Sequence, residues 1–290
     1  MLGKVVLKSS LEPHGKWVPA IDGESLFFCA EVGEPVAGKG KHQYRRTAFA
    51  WGEKAYVMPI WSTVETGLES KDGYAWFAWR PTMEGWQNSL SADAPTYIVM
   101  LNPDGTVEER QASEAGIVGG KPYFVRPADC GLPPGSRPDL ADKEVLVWNG
   151  VSGRPLKEIR HIVDSHGVPV CLGRSDGEWW MGSTLVVVRH PEQTLYEGRD
   201  EVVSLFSDTP DARPTASTVR GMGPRLILQA DGSVVWAAMK KSGLTTVYRD
   251  GKAIYTGRFI AFHRGSRGKV LTIIGRNSRR NGRTIQKIGR

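Results

Sequence analysis

The sequence predicts an all-β protein made of consecutive antiparallel hairpins, on three observations. Short β-branched or aromatic runs bounded by Gly, Asp, Asn or Ser recur along the chain, as in Lys54-Ala-Tyr-Val-Met-Pro-Ile, Thr96-Tyr-Ile-Val-Met-Leu, Glu144-Val-Leu-Val-Trp and Thr184-Leu-Val-Val-Val-Arg. That is the alternation of strands with turns. Helical patterning is poor: 34 glycines and 18 prolines are scattered through 290 residues, and apolar positions seldom recur at three- and four-residue steps. Finally, the stretch 225–257 parses completely into four strands, 225–229, 233–239, 244–249 and 253–256, joined by Asp231-Gly232, Lys241-Ser242-Gly243 and Asp250-Gly251. Asp-Gly supplies the positive φ angles that a tight hairpin turn needs.

Weaker copies of this unit are spread along the chain. A turn followed by an apolar strand stands at Asp22-Gly23, Asp72-Gly73, Gly119-Gly120, His166-Gly167, Asp231-Gly232 and Arg267-Gly268, at spacings of 50, 47, 47, 65 and 36 residues. The long step contains 207–223, rich in Pro, Thr, Asp and Arg, the composition of a surface loop. After the last turn only three strands remain, at 259–263, 269–274 and 284–288, while 4–8 forms an orphan strand at the start.

Four-stranded antiparallel units recurring every forty to fifty residues resemble the blades of β-propeller repeats. The resemblance implies a single domain over 1–290, a propeller of about six four-stranded blades. Pairing of the N-terminal strand 4–8 with the C-terminal blade would close the ring and remove its open edges. It implies no functional family. No Trp-Asp dipeptide occurs, and Ser70-Lys-Asp-Gly-Tyr-Ala-Trp lacks the residue that separates Asp from Gly in a sialidase Asp box.

The bulk composition limits the function classes. A 40% hydrophobic content with ten Trp gives ample core material. No run of eighteen apolar residues occurs, so no membrane-spanning helix is expected. The start, with short apolar steps between lysines, reads as synthesis in the cytoplasm without a signal peptide. Cys29, Cys130 and Cys171 are odd in number and widely spaced, which fits buried free thiols rather than disulfides or a zinc site.

Catalytic patterns are sparse. The segment His161-Ile-Val-Asp164-Ser165-His166 contains every residue type of a hydrolase triad, but triad members come from separate segments, and a turn capped by Asp and Ser is the simpler reading. The histidines His14, His42, His161, His166, His190 and His263 follow no ligand spacing. No phosphate-binding GxxxxGK[ST] motif is present, and Gly119-Gly120-Lys121 opens a strand, not a helix. Glu65, Glu69, Asp129 and Glu178 are carboxylates that no turn explains, the raw material of a glycoside hydrolase if two of them converge. The expectation is a non-enzyme with no cofactor and no metal.

Binding features are clearer. Trp76, Trp79 and Trp236 fall in strands and suit a core between blades, whereas Trp61, Trp86 and the adjacent pair Trp179 and Trp180 are candidates for an exposed aromatic platform. Charge is strongly polarised. The segment 251–290 holds eleven Lys or Arg and no Asp or Glu, against 27 basic and 31 acidic side chains before it. Arg276, Arg279, Arg280, Arg283 and Lys287 would form a cationic hairpin able to meet an acidic protein face, with non-specific nucleic-acid contact as a further partner. The expectation is therefore a rigid interaction scaffold in an assembly, by analogy a phage tail or capsid-associated virion protein. A carbohydrate-binding, host-recognition propeller and a glycoside hydrolase are the alternatives.

Overall fold

The structure is a computed structural model describing residues 18–22, 25–37, 43–51, 54–65, 68–83, 94–133, 135–176, 184–199, 201–202, 226–240, 244–264, 271–276 and 283–288, some of them by backbone alone. The chain separates into two compact units, Met1–Arg126 and Pro127–Arg290. Among the described residues every regular element is a strand, apart from one 3-10 turn at Pro138–Leu140.

The first unit opens with a four-stranded meander: β1 (Val18–Asp22), β2 (Ser25–Ala37), β3 (Gln43–Trp51) and β4 (Lys54–Val57). The next sheet contains β5 (Ser62–Val64), β6 (Glu69–Lys71), β7 (Tyr74–Pro81), β8 (Tyr97–Leu101) and β9 (Val107–Gln111). Its order is β5-β7-β8-β9, with β6 also on β7. Because β5 meets residues 79–81 of β7 and β6 meets 74–76, the two short strands form one interrupted outer strand, and the sheet is again a four-strand meander. The β10 (Glu114–Val118) and β11 (Lys121–Pro127) hairpin follows.

Alternation along β7 and β8 explains how these sheets stack. Ala75, Phe77, Trp79, Val99 and Leu101 pack with Phe49 and Met58 of the first sheet. Trp76, Ala78, Ile98 and Met100 face the other way, onto Ala115, Ile117 and Phe124 of the following hairpin. Successive side chains of a strand point to opposite faces, so a strand apolar at every position is one buried on both sides. Phe49 and Phe77 stack with centroids 3.6 Å apart.

The second unit repeats the plan. After the hairpin of β12 (Glu144–Trp148) and β13 (Val151–Ser152) comes a four-stranded meander of β14 (Glu158–Ser165), β15 (Val168–Arg174), β16 (Leu185–Arg189) and β17 (Gln193–Gly198). The last sheet contains β18 (Glu201–Val202), β19 (Ile227–Leu228), β20 (Val234–Met239), β21 (Leu244–Arg249), β22 (Lys252–Arg264), β23 (Leu271–Arg276) and β24 (Arg283–Ile288). Here too the outer strand is interrupted: β18 pairs with one end of β20 and β19 with the other. The inserted loop 207–223 falls between β18 and β19 and outside the described residues. Val234 and Trp236 pack with Leu172, Leu185 and Val187 of the preceding meander, while Val235 and Ala237 cluster with Val247 of their own sheet on its opposite face. Consecutive four-stranded meanders stacked face to face are the blades of a β-propeller.

The turn signals occupy equivalent places. Asp72-Gly73, Gly119-Gly120, His166-Gly167 and Asp231-Gly232 each join the outer strand of a sheet to the next strand, and Asp22 ends the outer strand of the first, with Gly23 outside the described residues. Asp72 (φ 54°) and Gly73 (φ 81°), and likewise His166 (φ 54°) and Gly167 (φ 77°), adopt the two left-handed conformations of a type I′ turn. The sixth, Arg267-Gly268, lies in the β22–β23 connection, outside the described residues.

One expectation is corrected. The strands expected at 253–256 and 259–263 are a single strand, β22, whose first part pairs with β21 and whose second part pairs with β23, with a bulge between Phe259 and Ala261. No turn residue separates them except Gly257, and Gly257 is covered by the Tyr255 ring instead of turning. The pairing expected between residues 4–8 and the C-terminal blade lies outside the described residues.

Candidate functional site

The last three strands place the basic residues of the C-terminal segment in register. Arg258 on β22 is directly opposite Arg276 on β23, and Arg276 is directly opposite Arg283 on β24. Directly opposed residues of adjacent antiparallel strands share one face. The three arginines therefore form a row across the sheet, and at a strand separation of about 4.8 Å the row spans about 10 Å. Lys287 is opposite Thr272, itself opposite His263. Residues 272 and 276, and 283 and 287, are an even number apart, so His263, Thr272 and Lys287 form a second row on the same face. Apolar Ala261, Ile274 and Ile285 lie between the two rows. Arg279 and Arg280 come between β23 and β24 in the sequence, outside the described residues.

Two adjacent like-charge pairs in one row oppose sheet formation, each by a few tenths to about 1 kcal/mol. The segment 251–290 contains no carboxylate to offset them. An anion lying along such a row would offset that repulsion. Arg258 belongs to it through register alone, and sequence spacing gave no reason to group it with Arg276 and Arg283.

The triad-like segment has a structural assignment. Asp164 Oδ1 accepts from Gly167 N at 2.8 Å and closes the hairpin turn. Ser165, 1% exposed, donates from Oγ to the Gly232 carbonyl at 2.9 Å. His166 is the left-handed turn residue, its ring lying over Gly232, where an added Cβ would meet ring atoms at 2.7 Å. His161 Nδ1 accepts from Leu226 N at 3.0 Å. His161, Ser165 and His166 tie β14 and its turn to the β19–β20 region, and Asp164 holds the turn that presents them.

A polar network that sequence reading missed extends this tie. Arg189 and Arg249 end the third strands of consecutive meanders. Arg189 approaches Ser165 Oγ and Asp250 Oδ1, each at 3.4 Å. Arg249 donates to Ser233 Oγ at 2.9 Å and pairs with Asp231. Asp231 also accepts from Ser233 N and Oγ at 3.0 and 2.6 Å, bonds that hold its carboxyl below the usual range. The turn Asn102-Pro103-Asp104-Gly105-Thr106 repeats this arrangement, Asp104 Oδ1 accepting from Thr106 N at 2.8 Å and Oγ1 at 2.7 Å. Asp-Gly-Ser and Asp-Gly-Thr are the shared signal.

The aromatic candidates divide. Trp61 is half-buried and meets Tyr44 edge-on with centroids 5.7 Å apart. Trp86, Trp179 and Trp180 lie outside the described residues. Trp76, Trp79 and Trp236 are buried between sheets, with Trp236 stacked on Tyr248 at 5.6 Å.

The unassigned carboxylates are not gathered into a pair among the described residues. Glu65 pairs with Arg80 at 3.3 Å. Glu69, on β6, is paired with Trp76 of β7 and is among the charges near Tyr123. Asp129 accepts Leu132 N through its carbonyl at 3.0 Å in a loop of the second unit. Glu178 lies outside the described residues. Burial and Glu114, which accepts the Tyr123 hydroxyl at 3.0 Å, push the Tyr123 phenol far above its normal range. Among the described residues no three His, Cys, Asp or Glu side chains cluster as metal ligands, and no helix is long and apolar enough to cross a membrane. Cys29, Cys130 and Cys171 are free thiols, with Cys171 buried.

No family model matches the chain, and no curated protein matches it. Among solved structures it is similar to the β-propeller domain of the Trilobed protease from Pyrococcus furiosus, at 12% identity and a TM-score of 0.41, over 79% of this chain and 69% of that one.

Proposed function

We propose that this protein is a non-catalytic interaction scaffold, a structural part of a larger assembly, that docks an anionic partner through its last sheet. The observation that carries the reading is the row Arg258, Arg276 and Arg283, set in register within a segment of eleven basic and no acidic residues. A cluster of cations of one sign raises the local concentration of anionic partners and steers their approach. The packing of β20 on the preceding meander supports a rigid base for the row, since Val234 and Trp236 are buried against Leu172, Leu185 and Val187.

The direct test is hydrogen exchange mapped along the backbone with a panel of polyanions: poly-glutamate, a DNA duplex and a sulfated polysaccharide. Slowed exchange confined to β22, β23 and β24 with at least one of them is the expected outcome. Protection elsewhere, or none with any of the three, refutes the reading.

A further inference from the structure

The arginine row is specific enough in composition and spacing to name a class of partner. We propose that it binds the phosphate backbone of nucleic acid without reading base sequence. This rests on the anionic docking proposed above and narrows it.

Three observations favour phosphate over the carboxylates of an acidic protein. Eight of the eleven cations in 251–290 are Arg, whose planar fork of donors matches phosphate oxygens in a bidentate way that the Lys ammonium does not. The charge is wholly of one sign, the footprint of nucleic-acid binding, whereas protein interfaces are depleted of charge at their centre and anchored by aromatic residues. From 264 to 290 there is no Trp, Tyr or Phe, and Phe259 and Phe262 of β22 are opposite Gly275 and Ile273, on the other face from the row. Neither a protein anchor nor a base-stacking platform is therefore available there, and what remains is contact to the backbone. The geometry agrees: a row of about 10 Å equals the rise of about three nucleotides along one DNA strand. Lys287, on the second row of the same face, extends the cationic track along the strands.

The magnitude is testable through salt. Three phosphate contacts on a duplex predict a slope of log affinity against log salt of about −2.7, which is about a 40-fold loss between 50 and 200 mM salt. The experiment is fluorescence anisotropy of two unrelated 30-base-pair duplexes, with labelled poly-glutamate as the competing class, using the full chain. The variant Arg258→Gln/Arg276→Gln/Arg283→Gln is compared with Arg110→Gln/Arg137→Gln/Arg160→Gln, which removes the same charge from other sheets and loops. The Arg258→Lys/Arg276→Lys/Arg283→Lys variant keeps the charge if the Gln variant fails to fold.

Equal affinity for both duplexes, with a slope that falls by about 2 to 3 in the row variant and stays unchanged in the control variant, supports the proposal. So does weakened binding in the Lys variant with the slope retained. Arginine-dependent binding of poly-glutamate without binding of either duplex overturns the nucleic-acid assignment and leaves the docking function standing. Binding of neither probe class overturns the nucleic-acid assignment, and absence of binding to the sulfated polysaccharide as well overturns the docking function; equal losses in the row and control variants overturn the role of the row.

Discussion

Ser165→Ala tests whether the triad-like segment acts as a clasp between adjacent sheets. The substitution removes one hydroxyl from a site 1% exposed, adding no volume and no charge. It deletes the Ser165 Oγ bond to the Gly232 carbonyl and the acceptor that Arg189 approaches. A lost neutral hydrogen bond costs about 1 kcal/mol, rising toward 3 kcal/mol where the partner is left dry. Gly232 is half-exposed, so water can reach its carbonyl, and the expected cost is about 1–2 kcal/mol. For a chain of this size that corresponds to a fall in Tm of about 2–8 °C. Thermal unfolding by circular dichroism measures the loss. Hydrogen exchange then decides its origin, because a bond between sheets must speed exchange in β14–β15 and in β19–β20 together. A Tm within 1 °C of the parent, or faster exchange confined to β14–β15, would refute the clasp.

Other consequences follow from the same packing. A Cβ at Gly173 would lie inside van der Waals contact with the Glu158 carbonyl and 2.7 Å from Leu156 Cδ1, so Gly173→Ala should lower stability by about 1–3 kcal/mol, measured by urea unfolding; a neutral result would place β14 further away. Trp236, fully buried between sheets, should cost about 3–5 kcal/mol as Trp236→Ala, and a smaller loss would mean that the neighbouring sheet collapses into the gap. His190 is buried, with Nε2 on the Val151 carbonyl at 3.0 Å, and burial lowers its pKa below the ordinary value. Below about pH 6.5 the unfolded chain takes up the proton first, so stability present above that pH is lost as pH falls toward the folded pKa. His190→Gln, which keeps a donor and cannot titrate, should be flatter than the parent between pH 7 and pH 5 in pH-dependent urea melts; identical profiles would remove His190 from the acid response.

The sequence alone settled the local chemistry. Asp-Gly, Gly-Gly and His-Gly pairs can close tight hairpins because they tolerate positive φ, and they did so at the same place in each unit. Runs such as Tyr74-Ala-Trp-Phe-Ala-Trp, apolar at every step, announced strands buried on two faces. The eleven uncompensated cations were visible by counting. Tertiary structure decided what depends on register and on distant neighbours. It joined two expected strands into β22, because Gly257 is covered by Tyr255 and does not turn. It made His161, Ser165 and His166 a clasp because Gly232 and Leu226, more than sixty residues away, supply their partners, while Asp164 closes the local turn. It also put Arg258 beside Arg276 and Arg283, since cross-strand neighbours are fixed by hydrogen-bond pairing and a bulge, neither of which is written in the spacing of the residues themselves.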